Sequence, residues 1–360
     1  MNETAEILCT FAEGGLASVL LNRPQALNAL TREMAVALDA ALTAWTADDR
    51  VKAVVIRGAG GRAFCAGGDI RRLYDEGRAG GRYPYDFYRD EYCCNARLHH
   101  FPKPYVALLD GIVMGGGVGV SVHGSHRVVT ENTLFAMPET GIGLFPDVGG
   151  TFFLPRLPGA LGLYLGLTGA RLKAADALHA GIGGCHVPAA RLDEMVAALA
   201  AALKAAPAAA ARATVDTVLA RFHVDPGPPP LAAQRAMIDR VFAQASVDEI
   251  LAALAAEAGD FAAGLLAGLK TKSPTSLKLT HRQIRAGIGR PFEDCMRLEW
   301  RMVNRIVVVH DFYEGTRAVV VDKDQKPAWR PASLAAVTDA AIEAYLAPLP
   351  EGDLRFAWEE

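Results

Sequence analysis

No stretch of the sequence reaches the roughly 18 to 20 uninterrupted apolar residues that a membrane span needs. The start, MNETAEILCT, also lacks a basic region followed by an apolar run, so no leader is read there and the cytoplasm is the expected compartment. Cysteine is sparse: Cys9, Cys65, Cys93, Cys94, Cys185 and Cys295 are scattered with no CxxC pair. That spacing supports neither a disulfide scaffold nor a zinc knuckle, and free thiols are expected. Nor is there an excess of positive charge, since a net charge of -3 gives no basic field to hold a nucleic-acid backbone. The glycine-rich phosphate loops, the HExxH helix of zinc enzymes and the GxSxG elbow of serine hydrolases are all missing. His123 and His126 are three apart with no third ligand in an obvious place, so no metal site is expected.

What is present is a chain of 360 residues, 51% of them apolar, long enough to bury a large core as one big domain or two ordinary ones. Residues 7–10 and 16–21 are β-type stretches around a GluGlyGly turn at 13–15. The segment 31–45 reads as a helix that Thr31 can cap, with Met34, Leu38 and Leu42 recurring near the helical period. A buried strand follows at 51–57, then a turn-rich loop at 58–68, with Asp69 placed to cap the helix beginning IleArgArgLeu. The pattern returns as a strand at 105–109, an AspGly turn and a small-residue helix over 114–123, then as strands at 127–130 and 134–136. Strand, glycine turn and helix repeated in one direction indicate an α/β fold with parallel pairing. Beyond Arg156 helices are expected at 161–167, 189–205, 209–222, 231–243, 247–256 and 261–269. A basic helical stretch at 270–310 should break at AspPheTyrGluGly, 311–315. The ProGlyProProPro run at 226–230 marks the expected boundary between a core at 1–225 and a mainly helical region at 226–360.

The chemistry-bearing signal lies at 137–156, MPETGIGLFPDVGGTFFLPR, where Glu139 and Asp147 sit in a segment too apolar and glycine-rich for a solvated surface. A carboxylate in such a setting needs a partner or a task. Glu139 follows a strand end, where open α/β proteins place their chemistry, and burial would raise its pKa and improve it as a base or nucleophile. Asp147 can share its pocket if the intervening loop folds back, although helix capping or pairing with Arg156 would also explain either acid. Gly67 and Gly68, and again Gly115 to Gly117, turn the chain into a helix, so the N–H groups of Gly68 and Gly116 could together polarise a carbonyl. Tight turns and close helix packing would call for the same glycines. The run KTKSPTSLK at 270–278, with Arg282 and Arg285, could meet a phosphate-bearing ligand or form a solvated helix face.

Five segments, FCAGGDI (64–70), GIVMGGGVGVSVHG (111–124), MPETGIGLFPDVGG (137–150), KSPTSLKLTHRQI (272–284) and HDFYEGTRAVVVDKDQKPAW (310–329), together resemble the thioesterase branch of the enoyl-CoA hydratase/isomerase (crotonase) superfamily. The resemblance implies a crotonase-like spiral of ββα units with a helical C-terminal region over the active site. It implies that the amides of Gly68 and Gly116 hold a thioester oxygen, that Glu139 is the catalytic carboxylate and that Asp147 is its partner at the substrate's β-hydroxyl. Coenzyme A then belongs to the substrate, with no separate cofactor, and its binding is expected along Ala63, Ala66, Gly67 and Gly115. One departure is informative: where hydratases of the superfamily follow GGG and one residue with a glutamate, this chain has Gly119. Hydration in the usual way needs two carboxylates, so the loss favours acyl transfer to water.

The implied activity is hydrolysis of 3-hydroxyisobutyryl-CoA to 3-hydroxyisobutyrate and CoA, a step of valine breakdown, with 3-hydroxypropionyl-CoA as a further substrate and an enoyl-CoA hydratase or isomerase as the alternative. Glu139 would attack the thioester carbon or, in the milder version, act as general base on water. The expected partner is a small acyl-CoA, without nucleic acid or membrane. A homo-oligomer is expected, and a monomer is also compatible with the sequence.

Overall fold

A computed structural model describes residues 5–11 and 14–359. Glu13 of the expected turn at 13–15 and Met1 to Thr4 of the start lie outside the described residues. The strands are β1 (Ile7–Phe11), β2 (Leu16–Leu21), β3 (Ala53–Gly58), β4 (Ala63–Cys65), β5 (Tyr105–Leu109), β6 (Ile112–Met114), β7 (His126–Val129), β8 (Leu134–Ala136) and β9 (Cys185–His186). A large sheet runs β1-β2-β3-β5-β7-β9 and a small one β4-β6-β8. After the antiparallel β1–β2 hairpin, every pairing in the large sheet is parallel. Each successive strand pair therefore sends its first strand to the large sheet and its second to the small one, which is the expected ββα spiral.

Parallel strands need cover on their faces. Ala53, Val55, Val106, Leu108 and Val128, alternate residues that share one face, pack against Leu192, Met195, Leu199 and Leu203 of the helix Leu192–Ala205 and Val215, Val218 and Phe222 of Ala211–Phe222. The alanine-rich tract that forms these helices is a strong helix former, and its leucines fall at helical spacing.

The chain forms two compact units. The first comprises Met1–Gly68, Cys93–Phe135 and Leu172–Ala232 and contains the large sheet. The second comprises Asp69–Tyr92, Ala136–Arg171 and Ala233–Glu360, and its long helices are Pro274–Ala286 and Phe292–Ile306. No helix among the described residues is long and apolar enough to cross a membrane. No disulfide joins any of the six cysteines.

Three local expectations are corrected. The loop at 58–68 contains β4, because Ala63–Cys65 finds a parallel partner in β6 that no local signal announces. The helix expected over 114–123 shrinks to the single turn Gly116–Gly119, since Ile112–Met114 is drawn into the small sheet and glycines have little propensity to extend a helix. AspPheTyrGluGly does not break a helix but lies within His310–Thr316. Gly315 serves packing there, as a Cβ would stand 2.3 Å from the Ile142 carbonyl carbon. The preceding stretch divides instead into its two long helices, separated around Gly287 and Pro291.

Gly117 sets the distance between the turn Gly116–Gly119 and β4: a Cβ on it would stand 2.3 Å from the Cys65 carbonyl oxygen. Gly264, in the helix Asp260–Leu269, would meet nothing within 4 Å. Gly117→Ala is expected to lower unfolding stability by about 1–3 kcal/mol in urea titrations. Gly264→Ala should be neutral or stabilising by up to about 1 kcal/mol.

Candidate active site

In the first unit, β4 and β6 are parallel neighbours, with Ala63 opposite Ile112 and Cys65 near Val113. The chain therefore leaves both strands at the same end, and in both places it leaves through glycine. Gly67 has φ 118° and Gly115 φ 45°, values that a side chain would strain. The two corners touch: a Cβ on Gly67 would stand 3.6 Å from the Met114 carbonyl oxygen and 3.9 Å from Gly115 Cα. Leu27 and Leu30 pin the first corner, the Ala66 N–H donating to Leu27 O and the Leu30 N–H to Gly67 O. The amides that follow, Gly68 and Gly116, donate to no backbone carbonyl among the described residues. Gly116 heads a helical turn, where first-turn donors have no internal partner. Of the residues expected along coenzyme A, Ala66, Gly67 and Gly115 line these corners. Ala63 instead lies inside β4, buried, with its carbonyl taken by Asn28 Nδ2 at 2.8 Å.

In the second unit, Pro138 leads into the short turn Glu139–Ile142, which Gly143 closes at φ 72° by donating its N–H to Glu139 O. Only glycine fits that position, since a Cβ would stand 2.1 Å from Asp311 O. The turn buries the Glu139 side chain to 4% exposure, and its Oε2 has no hydrogen-bond partner among the described residues. Burial first, and the Asp147 charge second, push its pKa well above the carboxylate range; Lys272 pulls the other way. A Cβ on Gly141 would stand 3.1 Å from Lys272 Nζ, so the ammonium lies beside this turn.

Asp147 is equally buried, and its Oδ2 accepts from the Tyr92 hydroxyl at 3.0 Å. Burial raises its pKa, with the Tyr92 bond opposing. The Asp147 charge is among the causes of the raised Glu139 pKa, so the two carboxyls lie in one neighbourhood. Arg156 pairs with neither acid: it donates to the carbonyls of Phe152 and Arg290. Arg282 binds Glu343, Arg285 binds the Gln244 carbonyl and Lys278 binds the Val337 carbonyl, so these cations are engaged within the protein.

Two further acids, Glu91 and Glu299, belong to this neighbourhood and are not among the expected site residues. Glu299, fully buried on the helix Phe292–Ile306, accepts the N–H groups of Gly149 and Thr151, each at 2.8 Å, and burial pushes its pKa to about 8. Glu91 is buried on the helix Tyr83–His99, with Oε1 unpartnered among the described residues; burial raises its pKa, and Asp147 and Glu299 add to the shift. The signal existed: Tyr88, Glu91, Tyr92 and Asn95 recur at helical spacing and are all buried. Among the described residues no group of three or more His, Cys, Asp or Glu could hold a metal ion.

These raised pKa values make stability fall with pH. The folded state retains protons that the unfolded chain has released, so for Glu299 the contribution is complete below 4.5 and lost as pH rises to about 8. Asp48 and Glu314, lowered to about 2 by arginine partners, titrate below that window, and His126 and His281, lowered by burial, oppose the fall only up to about pH 6.5. Differential scanning fluorimetry should therefore show the melting temperature declining across it; a flat or rising profile would contradict the buried acids.

A model of the enoyl-CoA hydratase/isomerase family matches residues 16–346. The chain is 45% identical over 349 residues to the mitochondrial 3-hydroxyisobutyryl-CoA hydrolase of Xenopus tropicalis, covering 96% of this chain and 90% of that one. It is 41% identical over 359 residues to that of Homo sapiens, covering 98% and 92%. The solved structure of a carnitinyl-CoA dehydratase from Mycobacterium thermoresistibile matches with a TM-score of 0.89 at 42% identity, covering 98% of this chain and 99% of that one. Both hydrolases are named mitochondrial, which overturns the expectation of a cytoplasmic protein. Targeting segments are removed from the folds they deliver, so the composition of a fold does not decide its compartment. By family match and by identity across nearly its whole length, the chain belongs to the enoyl-CoA hydratase/isomerase family, as a close homologue of its 3-hydroxyisobutyryl-CoA hydrolases.

Proposed function

We propose that this protein is an acyl-CoA thioesterase that hydrolyses 3-hydroxyisobutyryl-CoA to 3-hydroxyisobutyrate and coenzyme A in valine degradation, with 3-hydroxypropionyl-CoA as a further substrate. The observation that carries the reading is Glu139: a buried carboxyl with one oxygen free of any hydrogen-bond partner among the described residues, in a close homologue of such hydrolases. The amides of Gly68 and Gly116 receive the thioester oxygen. An oxygen of ionised Glu139 bonds to the acyl carbon, the C–S bond breaks, and the CoA thiolate leaves and takes a proton from water. Water then cleaves the mixed anhydride, giving the hydroxy acid and restoring Glu139. Each amide donor is worth about 3 kcal/mol of transition-state stabilisation. Asp147 meets the β-hydroxyl, and a buried acid left without that partner disfavours acyl groups lacking it. On the same reading the mainly helical residues 226–360 cover the catalytic acids Glu139 and Asp147, and the chain acts as a homo-oligomer or as a monomer.

A hydratase or dehydratase is the second reading, supported by the dehydratase at 42% identity and by the further acids, Glu91 and Glu299, buried near Asp147. Gly119 weighs against it, because the usual second acid of hydration is missing there. Thiol release from 3-hydroxyisobutyryl-CoA, measured alongside hydration of crotonyl-CoA, separates the two. Thioester cleavage should be fast and hydration weak; hydration at a matching or greater rate would restore the second reading.

Glu139→Gln keeps the shape but loses the nucleophile. It should reduce turnover below about a tenth of wild type while leaving CoA affinity within a few fold. Asp147→Asn should lower activity on 3-hydroxyisobutyryl-CoA more than on isobutyryl-CoA, and equal proportional losses would make it a general acid without selectivity.

A further inference from the structure

We infer that Glu299 is a positioning residue for Asp147, its carboxyl holding the segment 147–151 in the backbone shape that keeps Asp147 on Tyr92 and beside Glu139. Immediately after Asp147 the chain passes through Val148 at φ 51° and Gly149 at φ 87°. A β-branched residue rarely adopts the left-handed region, and such a conformation persists only where its surroundings over-determine it. Glu299 supplies that determination from another part of the chain. Its Oε2 accepts the Gly149 N–H and its Oε1 the Thr151 N–H, both at 2.8 Å. On the other side of Asp147, the buried Gln283 donates its Nε2–H to Pro146 O. Two helices, Pro274–Ala286 and Phe292–Ile306, thus grip the backbone just before and just after one acid.

Nothing in the helix itself calls for a carboxyl at 299. The neighbouring buried residues of its inner face, Cys295, Met296, Met302 and Val303, are apolar, and a leucine there would suit burial better. Both carboxyl oxygens are spent on backbone donors. A glutamine would keep one acceptor and turn its NH₂ group toward the other N–H, leaving a donor facing a donor. An aspartate is one methylene too short to retain both bonds.

The inference rests on the proposed role of Asp147, and its test separates the two. Glu299→Gln should lower kcat on 3-hydroxyisobutyryl-CoA tenfold or more with KM within about threefold, and the loss should be smaller on isobutyryl-CoA. The double variant E299Q/D147N should be no more than about twofold slower than D147N alone, because both changes disable the same group. Wild-type kcat in E299Q, or losses that multiply in the double variant, would overturn the inference. Amide hydrogen exchange supplies an arm independent of substrate. In the wild type, Gly149 and Thr151 should be as protected as amides of the parallel strands, and in E299Q they should exchange much faster while the strands keep their protection. Rapid exchange in the wild type would refute the clamp even if E299Q fails to fold. Protection that collapses in E299Q, together with a D147N variant of unchanged substrate preference, would leave the clamp standing and discard the role assigned to Asp147.

Discussion

Among the described residues of the second unit five carboxyl groups, Glu91, Glu139, Asp147, Glu299 and Asp311, are buried, and each needs an answer to the cost of leaving water. An ionised carboxylate removed from water is unstable unless it is paired, hydrogen-bonded or protonated. Each solution is used somewhere. Glu299 spends both oxygens on backbone N–H groups, and Asp147 takes the Tyr92 hydroxyl. Lys272 opposes the shift of Glu139 from beside its turn, and burial raises the pKa of Glu91, which favours its neutral form. Glu139 is left with Oε2 unmatched, in a turn that Gly141 and Gly143 keep narrow. Glu139 and Glu91 thus each keep one buried oxygen without a hydrogen-bond partner among the described residues.

The first unit solves a different problem, that of presenting backbone rather than side chains. The parallel pairing of β4 and β6 forces two chain exits to the same end, and the positive φ of Gly67 and Gly115 lets those exits touch. Amide N–H groups at such corners carry no side-chain entropy and need no reorganisation when charge develops on an oxygen. The same closeness excludes a methyl group at Gly117, whose position against Cys65 O sets the spacing between strand and helical turn.

Much of this was legible in residue order, and the parts that were not share one cause. Thr31 and Asp69 cap helices as their spacing indicated, accepting from Met34 N and Arg72 N. Glu139 and Asp147 stood out as acids in an apolar, glycine-rich run and do share a neighbourhood. β4 was unreadable because three residues carry no period of their own and become a strand only when β6 lies beside them. The helix at 310–316 was hidden because Gly315 looks like a breaker, whereas its lack of a side chain answers the nearby Ile142 backbone.

Residue order accounts for the elements whose signals are local: the caps, the strand and glycine-corner repeat, the alanine-rich helices and the two acids of one short segment. Tertiary structure alone decided which distant side chains join those acids. Residues 91, 147 and 299 lie on separate elements, and their proximity depends on how helix faces are turned when the second unit packs. Helical spacing marks Glu91 and Glu299 as acids on apolar faces without naming what those faces meet. Their partners are set by packing, because a buried carboxyl takes whatever donors the folded chain brings within hydrogen-bond reach, and residue order does not encode that distance.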